Sequence, residues 1–135
     1  MAKSRKPNSK TAVRSLTVLA VDDDPLVLSV VDLMLRGAGH RACMVASGQD
    51  ALDALAESRF DLVLSDVRMP GMDGVELSRR IRASYPLLPV IRMTGFLSEH
   101  SIDSVRESGV EHVVSKPFRA AQLLALITRV AASTC

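Results

Sequence analysis

Five short apolar runs punctuate this chain, and the stretches between them constrain the fold more than any other feature. Residues 16–21 (LTVLAV), 41–46, 61–65 (DLVLS), 89–94 and 110–115 each have the length of a buried strand. The gaps between them carry helical spacing instead. Asp24-Pro25 opens the first gap as an N-cap followed by a first-turn proline. Leu28, Val31 and Leu35, together with Leu26, Val30 and Leu33, then recur at helical intervals until Gly37 and Gly39. Ser47 caps a second helix through Ala51, Leu52 and Leu55. Val75, Leu77 and Ile81 mark a third, ending near Tyr85-Pro86. Ile102 and Val105 mark a weaker fourth closed by Gly109, and Leu123, Leu124, Ile127 and Val130 a fifth.

Strands alternating with helices predict an α/β fold with a mostly parallel sheet. The runs are continuously apolar rather than alternating, as strands covered on both faces should be. At 135 residues there is room for one domain. With one Tyr, three Phe and no Trp, its core must be built from aliphatic side chains and methionine, and Met69, Met72 and Met93 are read as packing. No run approaches the ~20 apolar residues of a membrane span and no signal peptide is visible, so the expectation is a cytoplasmic protein without membrane association. Cys43 and Cys135 are too few for a disulfide framework, and Cys43 reads as a small core residue. Lys3, Arg5, Lys6, Lys10 and Arg14 fall within residues 1–15, which contain no acid. The rest holds twelve basic against fifteen acidic residues. Residues 1–15 are therefore expected to be a basic, disordered tail ahead of an acidic domain spanning 16–132, and no direct binding to nucleic acid is expected.

What terminates the runs is chemically specific. The first ends in Asp22-Asp23, the third in Asp66, the fourth in Thr94 and the fifth in Lys116. Right-handed crossovers bring these ends to one edge of the sheet, where such folds bind ligands. Three carboxylates in one crevice repel one another unless a cation neutralises them, and Mg²⁺ with Lys116 balances their charge. A phosphoryl group placed on one carboxylate would be drawn to the metal, to Lys116 and to the Thr94 hydroxyl, an arrangement suited to phosphoryl transfer to aspartate.

The string Asp66-Val67-Arg68-Met69-Pro70-Gly71-Met72-Asp73-Gly74 resembles the phosphorylation loop of response-regulator receiver domains, the output half of two-component signalling. Asp22-Asp23, Thr94-Gly95 and Lys116-Pro117 match the family's other motifs in order, so the resemblance covers residues 16–131. It implies a doubly wound, flavodoxin-like sandwich of five parallel strands in the order 2-1-3-4-5 with five helices. Asp66 is then implied to take a phosphoryl group from a phosphohistidine on a histidine kinase or histidine phosphotransfer protein. Asp23 ligates Mg²⁺ directly, Asp22 through water, Asp66 itself shares the metal and the Arg68 carbonyl adds a ligand. Lys116, whose bond to Pro117 is implied to be cis, pairs with the phosphoryl oxygens, and Thr94 moves toward them. The output is binding to a downstream protein or passage of the phosphate onward. The alternative is the receiver portion of a longer DNA-binding regulator or hybrid histidine kinase.

The sequence departs from the family at Val113, where an aromatic ring usually stands three residues before the lysine. Any signal must then travel through backbone shifts, His112 or Phe96. Arg68 and Phe96 flank the expected phosphate position and are read as setting its lifetime. Arg92 is unusual inside a covered strand and must either reach an edge or find a carboxylate. His40, His100 and His112 have no metal-ligand spacing and are read as surface residues. An aspartate-nucleophile phosphatase is the competing enzyme reading of Asp22-x-Asp24, but Leu26 stands where that motif wants Thr or Val, and a cap domain does not fit. A pseudo-receiver should lack a pocket residue, and all five are present.

Overall fold

The computed structural model of the chain describes residues 15–67, 69, 71–95 and 112–133. Five strands form one parallel sheet: β1 (Thr17–Val21), β2 (Arg41–Val45), β3 (Leu62–Asp66), β4 (Val90–Thr94) and β5 (His112–Ser115). Four helices are described: α1 (Pro25–Gly37), α2 (Gly48–Glu57), α3 (Gly74–Ser84) and α4 (Ala120–Ser133). The helix expected around Ile102 and Val105 lies outside the described residues, as do residues 1–14, Arg68, Phe96 and His100. The sheet order is β2-β1-β3-β4-β5, as implied by the resemblance. The first strand begins one residue later than its apolar run. The third is displaced by one, so that Asp66 closes it and Asp61 stays outside to accept the Thr17 N–H at 2.8 Å.

Both faces of the sheet are covered, which is why its strands lack polar alternation. On one face Val18, Ala20, Leu62, Leu64, Ile91 and Met93 pack against Val31 and Leu35 of α1 and against Leu123 and Ile127 of α4. On the other, Leu19, Val21 and Val63 meet Ala51 and Leu55 of α2 and Leu77 and Ile81 of α3. Met69 is buried with this second group, and Met72 and Cys43 pack against it. Burying each large aliphatic side chain contributes roughly 1.5–3 kcal/mol.

Local chemistry sets the helix ends. Asp24 accepts the Leu26 N–H, with Pro25 opening α1, and Ser47 accepts the Asp50 N–H to start α2. After α1 the chain reverses through Gly39, whose φ of +89° favours glycine. The apolar residues of α1 cover more than one face, yet only Val31 and Leu35 are fully buried, while Leu26 and Leu33 are 75% and 73% exposed. The described helices include none long and apolar enough to cross a membrane.

His40 is corrected: it is buried, not superficial. Its Nδ1 accepts the Leu16 N–H at 3.1 Å, satisfying the amide that precedes β1. Burial pushes its pKa below 6.5, so the folded state favours the neutral ring. With the folded value depressed, this stabilisation is present above the unfolded pKa and lost as pH falls through the folded one. His40→Leu should cost about 1–3 kcal/mol by orphaning the Leu16 N–H. His40→Asn retains an acceptor and should lose less, and should also flatten the drop in denaturant midpoint between about pH 7.5 and about pH 5.5.

Candidate functional site

The sheet order places the acidic strand ends. From β1 the chain steps outward to β2, then returns to the other side of β1 as β3, so the direction of winding reverses between β1 and β3. Parallel strands separated by such a reversal leave a crevice at their carboxyl ends. Asp22 and Asp23 follow β1 directly, and Asp66 is the last residue of β3. One oxygen from each of the three carboxylates lies within 4.8 Å of the others.

Their environments differ. Asp22 is fully buried, and both its oxygens are held: Oδ1 accepts the Asp24 N–H at 2.9 Å and Oδ2 accepts Lys116 Nζ at 2.8 Å. Asp23 is exposed, so its carboxylate stands at the mouth of the crevice. Asp66 is buried, and its Oδ1 accepts both Lys116 Nζ at 3.1 Å and the Val67 N–H at 2.9 Å. One ammonium thus bridges two carboxylates that lie 44 positions apart in the chain.

Lys116 reaches them because β5 delivers it beside β4. Its backbone N–H donates to the Thr94 carbonyl at 2.6 Å, continuing the ladder in which Thr94 pairs with Ser115. Thr94 is buried at the end of β4, and the Lys116–Pro117 peptide is cis. Asp22, Asp23, Asp66 and Lys116 therefore meet as expected, with Thr94 at the neighbouring strand end. Arg68 lies outside the described residues. Arg92 is fully buried rather than at an edge, and it donates from Nη2 to Ser78 Oγ.

Sequence reasoning missed several supporting groups. The Asp24 and Val67 amides orient the carboxylates, and backbone donors leave no signal in residue identity. Gly74, the first residue of α3, packs so tightly that a Cβ there would collide with the Asp66 carbonyl oxygen. The Asp-Gly pair at 73–74 offered that signal: Asp73 caps α3 by accepting the Glu76 N–H, while Gly74 permits the close approach.

Burial raises the Asp66 pKa above its ordinary 3.8 and Asp22 adds to the rise, while Lys116 and the Val67 amide oppose it. Burial would lower Lys116, but its bonds to Asp22 and Asp66 prevail and raise it. Lys116 supplies one positive charge against three negative ones. A hard divalent cation with oxygen ligands fits this donor set in both charge and chemistry, Mg²⁺ among them. Beside the crevice, a groove of about 420 Å³ is lined by Leu26, Val27 and Val30 of α1 and by Lys116, Pro117 and Phe118.

Comparison with known proteins agrees. Residues 18–128 match the profile of the response regulator receiver domain. The chain is 39% identical over 109 residues to the DNA-binding transcriptional regulator NtrC of Klebsiella pneumoniae, covering 81% of this chain and 23% of that protein. It is 36% identical to the DNA-binding response regulator MtrA of Mycolicibacterium smegmatis, covering 82% and 48%. The chain thus spans between about a quarter and a half of these relatives. Among solved structures, the Vibrio cholerae chemotaxis protein CheY4 superposes with a TM-score of 0.82 at 32% identity, covering 86% of this chain and 98% of that one. The receiver domain of a Pseudomonas aeruginosa sensor histidine kinase, with magnesium coordinated in its active-site cleft, superposes with a TM-score of 0.82 at 30% identity, covering 87% and 98%.

The raised Asp66 pKa means that the folded state holds this proton more tightly than the unfolded state. Its contribution is fully present below 3.8 and is lost as pH rises through the folded value. Asp66→Asn should therefore raise Tm at pH 7, by roughly 3–6 °C for a gain on the order of 1 kcal/mol, and the gain should vanish in acid. Millimolar Mg²⁺ should raise the wild-type Tm and leave that of Asp66→Asn nearly unchanged, as thermal melts with and without the ion will test.

Proposed function

The chain belongs to the response regulator receiver domain family, and on that premise we propose that Asp66 is its phosphoacceptor. The observation that carries this reading is the bridging of Asp22 and Asp66 by Lys116 at 2.8 and 3.1 Å, with Asp23 beside them. A phosphohistidine on a histidine kinase or histidine phosphotransfer protein is the donor. With Asp66 Oδ1 engaged by Lys116 and the Val67 amide, Oδ2 is the attacking oxygen. A new P–O bond forms as the P–N bond breaks, and the electron pair of that bond stays on the imidazole nitrogen, which then takes a proton.

Asp23, Asp66 and the Arg68 carbonyl would hold Mg²⁺ directly and Asp22 would hold it through water, matching the engagement of both Asp22 oxygens. The ion supplies charge neutralisation for the phosphoryl oxygens. Lys116 follows the transferred charge because it already touches the acceptor, and Thr94 offers its hydroxyl from the adjacent strand end. The domain catalyses only its own phosphorylation and dephosphorylation, so turnover of simple phosphate esters should be absent.

The donor protein docks on the exposed apolar stripe of α1. Leu26, Val30 and Leu33 recur at i, i+4 and i+7, and Leu26 and Val30 line a groove that also takes in Lys116. Phosphorylation then biases a two-state equilibrium read by a downstream protein, or the phosphate passes onward. The size of the relatives favours a second reading, in which this receiver is the regulatory part of a longer DNA-binding regulator.

Incubation with acetyl phosphate and Mg²⁺ should add the mass of one phosphoryl group, and the addition should disappear in Asp66→Asn. Labelling that survives that substitution contradicts the reading. Val30→Glu should slow transfer from a phosphorylated histidine phosphotransfer domain about tenfold or more, a loss of about 1.4 kcal/mol or more in the docked transition state. The same variant should leave the rate with acetyl phosphate unchanged, and equal slowing with both donors would rule out docking at this stripe.

A further inference from the structure

Arg92 has no role in the phosphoacceptor reading so far. It lies within β4 in register with Ser65 of β3 and Val113 of β5. Residues two apart on a strand share a face, so Arg92 stands directly below Thr94, on the side covered by α3. Val113, where the family resemblance calls for a ring, is its registered neighbour on that face. The large side chain here therefore comes from β4 instead of β5.

The guanidinium is tied to the main chain around Asp66. Arg92 Nη2 donates to Ser78 Oγ at 2.5 Å, and Ser78 Oγ donates to the Gly74 carbonyl at 2.8 Å. The Gly74 N–H donates to the Val67 carbonyl at 2.9 Å, and a Cβ on Gly74 would stand 2.9 Å from Val67 Cα. Burial pulls the Arg92 pKa down to about 10, against the upward pull of Asp73 and Asp66, which leaves it charged at neutral pH. A long apolar side chain would fill this space without the cost of burying a charge.

We propose that Arg92 is a positioning residue of the phosphoacceptor centre: through Ser78 and Gly74 it clamps the start of α3 against the Asp66 main chain, and it holds a fixed positive charge behind that carboxylate. This rests on the reading of Asp66 as phosphoacceptor. Phosphorylation brings a donor dianion onto the carboxylate and leaves Asp66 carrying more negative charge. A buried cation nearby favours that gathering of charge and opposes binding of a divalent metal ion. The two effects have opposite signs, whereas a disordered loop would impair both.

The test uses the full chain. Arg92→Met keeps length and removes the charge, and Arg92→Lys keeps the charge without the planar fork. Arg92→Met should bind Mg²⁺ about threefold or more tightly by calorimetry, yet react about threefold or more slowly with acetyl phosphate at saturating Mg²⁺. Arg92→Lys should stay near wild type in both. Weakening of both properties in Arg92→Met, no change in either, or a lysine variant that behaves like methionine would each overturn the proposal. Should Arg92→Met fail to fold, Arg92→Gln carries the same comparison. If the wild type takes up no phosphate, the Asp66 reading fails, and the Mg²⁺ measurement still judges Arg92: tighter binding in the methionine variant upholds the buried charge, and unchanged binding removes it.

Discussion

Mutual repulsion among Asp22, Asp23 and Asp66 is the constraint around which the rest of this molecule is arranged. Ordinary folding would not gather three carboxylates where their oxygens approach within 4.8 Å and one side chain is wholly buried. The chain tolerates it through one ammonium shared by two of them and through backbone amides aimed at Asp22 and Asp66. Burial, with Asp22 adding to it, still leaves the Asp66 pKa raised. A cation bound there would relieve electrostatic free energy of the resting fold and would link ligand binding at the crevice to the stability of the sheet.

Much of this was legible in the sequence because the signals are local or periodic. Continuous apolar runs identified strands covered on both faces, and the Asp24-Pro25 and Ser47 caps marked helix starts. The identity of the residues ending each strand located the crevice. What stayed hidden depends on contacts between distant segments. His40 looks superficial beside Gly39, yet its partner is the Leu16 amide, 24 positions earlier. Arg92 donates to a hydroxyl on α3, 14 positions away, which strand pattern alone does not reveal. Backbone amides at Asp24 and Val67 are invisible to residue-type reasoning by nature.

α1 shows how an overfull apolar pattern should be read. A helix that is apolar on more than one face suggests complete burial. Here Val31 and Leu35 fill the core while Leu26 and Leu33 remain in solvent, Leu26 beside the crevice. The surplus Leu26 and Val30 line a groove that also takes in Lys116, so one helix serves the core and borders the crevice. On the opposite face of the sheet, Arg92 and Val113 exchange the usual distribution of bulk between β4 and β5. The two faces thus differ beside the crevice, with exposed apolar residues on the α1 side and a buried guanidinium on the α3 side.

Phosphoacceptor function requires the phosphoryl group to reside on Asp66 and nowhere else in the acidic crevice. Treating the phosphorylated protein with borohydride reduces an aspartyl phosphate to homoserine, which peptide mass mapping locates. Homoserine at position 66 alone is the predicted result, and homoserine at position 22 or 23, with position 66 unaltered, would contradict it.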